Sequence, residues 1–138
     1  MKRIGVWTSL AIAVVLSTLP AYSATCSNAT LKGAYGSQDT QQGYDANYYI
    51  VGLLKFDGAG NGTRPWEAFQ RNDQSSGFSE PLKFTYTVAS DCTFTMYLGS
   101  LTFAGVVVDD GAQIRYVEIT GSEFRTGNAV KVSSQNQQ

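Results

Sequence analysis

The amino-acid sequence predicts an all-β protein, built as an antiparallel up-and-down β-barrel of about eight strands. Residues 57–62, Asp-Gly-Ala-Gly-Asn-Gly, separate two runs of β-forming residues and have the composition of a tight hairpin turn. Residues 82–88 and 92–98 alternate between apolar and polar side chains, which is the pattern of strands with one buried face. After residue 24, no segment has a convincing helical period.

The predicted strands follow one another closely, with connections short enough for hairpins or near-hairpins. Short connections favour pairing between consecutive strands. Eight strands can close into a barrel that leaves no exposed sheet edge, so a barrel is favoured over the alternative, a β-sandwich. The predicted strands span residues 34–40, 48–56, 63–71, 82–88, 92–98, 101–108, 113–120 and 123–132.

The early strands carry signs of irregularity. A helical or turn-like entry at residues 26–33 precedes the first of them. Both faces of the second strand are largely apolar, so each is expected to be at least partly covered, and Gly52 within it suggests a bulge or sharp bend. In the third strand, Pro65 has no N–H to donate, which places it at an edge or a bulge. The polar residues 72–77 then predict a loop.

The later strands have more regular faces. The side chains expected to point inward from the fourth and fifth strands are Leu82, Phe84, Tyr86, Val88, Cys92, Phe94, Met96 and Leu98. Residues 109–111, Asp-Asp-Gly, predict a hairpin turn. The last strand has one face with Phe124, Thr126, Val130 and Val132 and an opposite face with Glu123, Arg125 and Lys131.

The first 23 residues have the pattern of a secretory signal peptide. Met1-Lys2-Arg3 is a basic start, residues 4–19 are apolar, and Ala21 and Ser23 stand at the −3 and −1 positions of a small-residue cleavage site. The apolar run is short for a membrane span, which makes a retained anchor the weaker interpretation. We therefore expect residues 24–138 to form a single secreted or periplasmic β-barrel domain, with no membrane attachment after cleavage.

Two cysteines remain after such a cleavage, Cys26 and Cys92. In an oxidising compartment an even number of cysteines implies pairing, and two allow one intramolecular disulfide. The bridge would tie the start of the domain to the middle of its sheet and remove roughly 4 kcal/mol of unfolded-state entropy. Two buried free thiols are the alternative. A thiol–disulfide catalyst is disfavoured because the chain lacks Cys-x-x-Cys.

Several short motifs resemble a group of short exported bacterial proteins of uncharacterised function. They are Cys-x₄-Leu-Lys-Gly-x-Tyr at residues 26–35, Phe-Asp-Gly-Ala-Gly-Asn at 56–61, Tyr-Thr-Val-x₂-Asp-Cys-Thr at 86–93 and Val-Val-Asp-Asp-Gly at 107–111. The chain departs from that group at Phe84 and Phe94, where glycine is common. The group is similar in fold to allene-oxide-cyclase-like and lipocalin-like (calycin-like) barrels. The resemblance implies a barrel and brings no catalytic residues with it.

Composition excludes several kinds of chemistry. The chain has no histidine, which removes histidine bases, catalytic triads with histidine and imidazole metal sites. Its formal net charge is −1 and its cations are scattered, so nucleic acid is disfavoured as a partner. No phosphate-binding Gly-Lys loop is present. We therefore expect no metal, no cofactor and no catalytic residues.

Acidic residues offer two weaker alternatives. The turn at residues 57–62 faintly resembles a calcium loop, but Ala59 and Ala68 occupy positions where an EF-hand needs oxygen ligands, so a turn is the better interpretation. Glu67 and Glu118 lie within strands, and inside a barrel they could serve a cyclase or isomerase. We expect them instead on the outer face, beside Arg64, Arg115 or Lys55.

The abundant aromatic residues give the leading functional hypothesis. Tyrosine and tryptophan at a barrel mouth would form a cleft with an apolar floor and a few polar groups, as small-ligand sites prefer. The residues predicted to line it are Trp66, Tyr48, Tyr86 and Tyr116. A filled core with exposed tyrosines is the competing interpretation and would suit a non-enzymatic structural or surface-interaction protein. The ligand and the oligomeric state do not follow from the sequence.

Overall fold

The chain forms nine antiparallel strands in a computed structural model that describes residues 25–43, 47–71, 74–77, 81–121 and 124–132. The predicted signal peptide lies outside these ranges. The strands are β1 Lys32–Gln42, β2 Asn47–Asp57, β3 Asn61–Arg71, β4 Gln74–Gly77, β5 Leu82–Val88, β6 Thr93–Leu98, β7 Leu101–Val108, β8 Gln113–Glu118 and β9 Phe124–Lys131. Two short 3₁₀ turns, Asn28–Thr30 and Asp109–Gly111, complete the described secondary structure.

Eight of these strands close into an up-and-down antiparallel barrel, which confirms the predicted fold class. Consecutive strands pair around the ring, β5 follows β3 directly, and β9 pairs with β1 to close it. The ninth strand, β4, pairs with the end of β3 through residues Ala68–Arg71. The predicted loop at residues 72–77 is therefore wrong in part. The segment is polar, yet its backbone continues the ladder where β3 has left β5.

An aromatic core fills the half of the barrel where β1 begins. Phe56 is its centre, with Tyr35, Phe84 and Tyr86 packed edge-to-face around it at centroid distances of 5.0–5.2 Å. Such contacts add about 0.5–1.5 kcal/mol per pair beyond area burial. The predicted alternation of β5 and β6 is confirmed from Phe84 onward, with buried Phe84, Tyr86, Val88, Phe94, Met96 and Leu98. Leu82 is exposed, and Cys92 precedes β6.

Residues 26–31, called the plug below, cover this end of the barrel. Leu31 is fully buried, and the Asn28 side-chain oxygen accepts a hydrogen bond of 2.8 Å from the Val88 amide. The Tyr86 hydroxyl lies 3.1 and 3.0 Å from the carbonyl oxygens of Asn28 and Leu31 and accepts a bond from the Gly58 amide. Tyr86 therefore links the plug to the β2–β3 turn.

The Cys26–Cys92 disulfide fastens the plug, as the sequence predicts, with the two Cα atoms 5.0 Å apart. The Cys26 amide also donates to the carbonyl oxygen of Ser90. A disulfide is consistent with an oxidising, extracellular compartment. Within the described residues, no helix has the length and apolar character needed to cross a membrane.

The β2–β3 connection is the turn that the sequence predicts. Asp57 Oδ1 accepts hydrogen bonds from the amides of Ala59 and Asn61, and its Oδ2 accepts one from Asn61 Nδ2. These bonds hold the pKa of Asp57 below its ordinary value of 3.8. Because both oxygens are used within the turn, the structure supports the turn interpretation over the calcium loop.

A β-bulge interrupts the pairing of β2 with β3. Leu53 pairs with Trp66 and Lys55 pairs with Thr63, so Arg64 and Pro65 together oppose the single residue Leu54. Pro65 thus occupies a bulge, as predicted, where its missing N–H costs no ladder hydrogen bond. The bulge lies in β3 rather than at Gly52.

Candidate functional site

Four charged side chains meet inside the half of the barrel away from the plug, and they are called the charged cluster below. Arg125 Nη2 lies 3.3 Å from Asp39 Oδ2 and 3.7 Å from Glu67 Oε2. Arg64 Nη1 donates to the same Glu67 oxygen. Their side chains are 4–13% exposed. Charges buried to this extent cost several kcal/mol each unless paired, so such a cluster needs an explanation.

The bulge at Pro65 brings Arg64 and Glu67 together. In a regular strand, residues three apart point to opposite faces. The extra residue restores the face, so Arg64 is buried and Glu67, opposite Gly52, also points inward. The expectation that Glu67 lies on the outer face is therefore wrong. Sequence periodicity misses the placement because the bulge changes the phase of the alternation.

Two inward-facing glycines make room for the polar side chains. A Cβ atom at Gly127 would overlap Asp39 Oδ1 and press against the ring of Tyr116. A Cβ atom at Gly52 would lie 3.0 Å from the hydroxyl oxygen of Ser37. Because larger residues at these positions would displace polar groups, the two glycines admit the charged cluster.

Tyr116 of β8 lies beside the charged cluster, next to Asp39. Burial, and then the negative charge of Asp39, raises the pKa of Tyr116 well above its ordinary value of 10.0. Burial likewise raises the pKa of Asp39 above 3.8, while the positive charge of Arg125 acts in the opposite direction. The Tyr116 phenol therefore stays protonated beside the cluster, and the Asp39 carboxyl takes up a proton more readily than an exposed aspartate does.

Asp39 Oδ1 and Arg125 Nε are buried atoms of the cluster that have no hydrogen-bond partner among the described residues. One is an acceptor and the other a donor. Leaving such groups unsatisfied costs about 1–3 kcal/mol each, or more when charged. The fold therefore leaves one acceptor and one donor available to a further polar group.

Aromatic side chains lie on the inward face between the cluster and the end where β2 begins. Tyr48 pairs with Arg71, whose guanidinium carbon lies 5.4 Å from the centroid of the Tyr48 ring. Phe69 pairs with buried Ile50 and is itself half-buried. Tyr48, Phe69 and Arg71 are called the aromatic rim below. The rim places two aromatic rings between the charged cluster and the end of the barrel.

The four residues predicted to line a ligand site do not share one surface. Tyr48 belongs to the aromatic rim, and Tyr116 lies beside Asp39 in the cluster. Tyr86, 1% exposed, is part of the packed core beneath the plug, and Trp66 is 46% exposed on the outer face of β3. Only Tyr48 and Tyr116 therefore fall in the half of the barrel that contains the charged cluster.

Asp39 and Arg125 were not predicted from the sequence as site residues. Asp39 lies on a strand with few apolar residues, and Arg125 opposes a face that carries Phe124 and Val130. That more apolar face of β9 points outward, with Phe124 77% exposed and Val130 49% exposed. Small residues, Gly127 and buried Ala129, face inward beside Arg125, and Gly127 leaves space for Asp39 and for the ring of Tyr116. Hydrophobic alternation alone gives no sign of a polar interior.

Glu118 also differs from its expected outer position. It is half-buried and follows buried Ile114 and Tyr116 at the two-residue period of β8, opposite buried Phe103. It thus shares their inward face. Among the described residues, no three His, Cys, Asp or Glu side chains come together as potential metal ligands.

Comparison with protein-family models, with curated proteins and with solved structures found no match to this chain. The role of the charged cluster therefore has to follow from its own chemistry.

The raised pKa of Asp39 gives a testable pH dependence. A carboxyl whose folded pKa exceeds its unfolded value binds protons more tightly when folded, so its contribution to the unfolding free energy rises as the pH falls through the folded pKa towards 3.8. Asp39→Asn should flatten the pH dependence of stability between neutrality and about pH 4, measured by urea unfolding.

Asp57→Asn is the matched control, because the pKa of Asp57 is lowered and its contribution is lost only as the pH falls below 3.8. This control should leave the slope above pH 4 intact. An unchanged slope above pH 4 in Asp39→Asn would contradict the assignment.

Proposed function

We propose that this protein is an exported binding module that holds a small amphipathic ligand in the half of the barrel opposite the plug. The ligand's polar end meets the charged cluster, and its apolar body packs against the aromatic rim. The order of the two surfaces supports this proposal, because the aromatic rim and the charged cluster follow one another along the interior of the barrel. Small-ligand sites commonly combine an apolar lining with a few polar groups.

The unpaired Asp39 Oδ1 and Arg125 Nε carry this proposal. A hydroxyl group offers both an acceptor for the arginine N–H and a donor for the carboxylate oxygen, and a ligand carboxyl group offers the same pair when it shares one proton with Asp39, whose pKa is raised. Such a group would supply the hydrogen bonds that the fold leaves unmade. Ligands with a purely apolar end would leave both atoms unsatisfied and are expected to bind more weakly.

Export of the mature domain is supported by the basic, apolar and small-residue sequence at residues 1–23 and by the disulfide. The resemblance to short exported bacterial proteins with a lipocalin-like fold points the same way.

The test uses a fluorescent medium-chain fatty acid, dansylamino-undecanoic acid, and its methyl ester, titrated into the oxidised mature protein. The free acid, which can accept from Arg125 Nε and share a proton with Asp39, should bind with enhanced fluorescence, and the ester, which has no ionisable carboxyl group, should bind at least tenfold more weakly. Tyr48→Ala removes a ring of the aromatic rim and should weaken binding of the acid about tenfold, which corresponds to about 1.4 kcal/mol.

Tyr49→Ala is the matched control, because Tyr49 is the next residue on β2 and points outward with 60% exposure. It should bind the probe as the unmodified protein does. Equal losses in Tyr48→Ala and Tyr49→Ala, or equal affinity for acid and ester, would contradict the proposed site. Native mass spectrometry of protein from its own host then identifies the natural ligand by its mass.

An outer apolar surface favours a second candidate, a surface-interaction protein. Tyr49, Val51 and Trp66 are 46–60% exposed on the outer face of β2 and β3, where Leu53 pairs with Trp66. Contiguous exposed apolar side chains often mark contact surfaces. A Trp66→Ser variant that loses a partner or an oligomer seen in the native mass spectrum, while keeping the fatty-acid probe, would favour this role. A cyclase or isomerase role for Glu67 or Glu118 would instead require a substrate whose turnover falls in the glutamine variants.

A further inference from the structure

A second concave surface lies outside the barrel, on the side where β2, β3, β5 and β6 adjoin. This outer groove has a volume of about 760 Å³. It falls within the about 300–1,000 Å³ typical of small-molecule sites. Its lining includes the exposed side chains of Lys55, Thr63, Lys83, Thr85 and Tyr97. It does not include residues of the charged cluster or the aromatic rim.

Strand pairing places two lysines on either side of one threonine in this groove. Lys55 pairs with Thr63 across β2 and β3, and Thr63 pairs with Lys83 across β3 and β5. Neighbouring strands lie about 4.8 Å apart, so the two lysine Cα atoms are about 10 Å apart. Both flexible side chains can therefore reach one anionic group held over Thr63.

The two lysines are not neutralised by the described protein. Among the described residues, the structure shows no acidic side chain within ion-pair distance of Lys55 or Lys83. The groove's own carboxylate, Asp57, uses its oxygens in hydrogen bonds to its turn. The groove thus has two lysine charges against the single negative charge of Asp57, an excess of positive charge on a chain whose formal net charge is −1.

A neutral row adjoins the lysine row. Asn61 pairs with Thr85, and Thr85 pairs with Tyr97, whose side chain is 48% exposed. This row offers an amide, a hydroxyl and an aromatic face side by side. Beyond it, Gly99 has open space around the position of a Cβ atom, so no side chain of the described residues closes this end of the groove.

We propose that the outer groove binds an acidic saccharide. A sugar ring packs its apolar face on Tyr97 and shares hydroxyl hydrogen bonds with Thr85 and Asn61, while its carboxylate lies between Lys55 and Lys83. The adjoining aromatic and hydroxyl groups favour a ring with many hydroxyls over a simple anion. A nucleic acid is disfavoured, since two isolated lysines are too few to neutralise a phosphate backbone.

Isothermal titration calorimetry of the oxidised mature protein with tetragalacturonic acid tests this proposal, and neutral galactotetraose serves as the comparison ligand. We expect the acidic oligosaccharide to bind at least tenfold more tightly than the neutral one, with affinity falling as salt increases. Lys83→Gln and Tyr97→Ala should each weaken binding at least tenfold. Arg115→Gln is the matched charge control, because Arg115 is exposed on β8, a strand that contributes nothing to the groove.

Equal weakening by Lys83→Gln and Arg115→Gln would show a general charge effect and overturn the proposal. Equal affinity for the two oligosaccharides, or no heat of binding at millimolar concentrations, would overturn it as well. Binding to phosphatidylglycerol vesicles without binding to tetragalacturonic acid would assign the lysines to a membrane surface instead. Retained binding of the fatty-acid probe in Lys83→Gln would show that the groove and the barrel interior act separately.

Discussion

Arg125→Met is expected to lower the free energy of unfolding by about 3–5 kcal/mol at neutral pH. Arg125 holds Asp39 and contacts Glu67 inside the barrel, so its removal leaves the buried Asp39 carboxylate without its ion-pair partner, while Glu67 keeps Arg64. Methionine retains much of the packing against Phe103, whose ring centroid lies 5.4 Å from the guanidinium carbon. The loss should therefore reflect charge rather than a cavity, and urea unfolding measures it.

Two comparisons sharpen this prediction. Arg115→Met, on the exposed outer face of β8, should change stability by less than about 0.5 kcal/mol. Asp39→Asn combined with Arg125→Met should be less destabilised than the sum of the single changes, because the aspartate charge is gone. The Arg125→Met penalty should also shrink as the pH approaches 4, where Asp39 takes up a proton. Strict additivity in the double variant would contradict the pairing.

Removal of the disulfide is the second change with a large expected effect. Cys26→Ala with Cys92→Ala should lower the unfolding free energy by about 4 kcal/mol in the chain-entropy model, because the bridge spans a sequence separation of 66 residues. Alanine avoids burying a new hydroxyl near Cys26, which is 8% exposed. Guanidinium unfolding of the double variant and of the oxidised protein gives the difference.

Reduced wild-type protein is the natural control, since it loses the bridge without any change of side chain. Its unfolding curve should approach that of the double variant. Amide exchange should increase first at Val88 and Leu31, whose N–H groups bond to Asn28 of the plug. Unchanged protection there after reduction would mean that hydrogen bonds and burial alone hold the plug.

Much of the fold follows from local sequence signals. The Asp57 turn, the strand alternation from Phe84 to Leu98 and the Cys26–Cys92 pairing each rest on a pattern with one strong physical interpretation. Pro65 likewise indicated an edge or a bulge because proline has no N–H for the ladder, and the structure has the bulge. The turn, the alternation and the proline depend on neighbouring residues alone, and the disulfide follows because two cysteines allow only one intramolecular pairing. None of them requires three-dimensional information.

The charged cluster could not be predicted in the same way. Its members come from β1, β3 and β9, and they meet only because the barrel closes. Glu67 points inward because the bulge shifts the alternation of β3. Arg125 lies on an inward face of β9 that is less apolar than the outward face, which reverses the usual pattern. β4 was missed since Gln-Ser-Ser-Gly has loop composition and becomes a strand through pairing with β3. In each case tertiary context decides the placement.

The ring closes between the first and last strands of the described chain, β1 and β9. A nascent chain without β9 would carry two unpaired backbone edges, on β1 and on β8, which invite association with other chains. Contacts between segments this distant in sequence also form slowly. Completion of the barrel therefore has to wait for synthesis to reach Lys131, and shortening the protein at its carboxyl end by one strand should produce aggregation rather than a smaller stable domain.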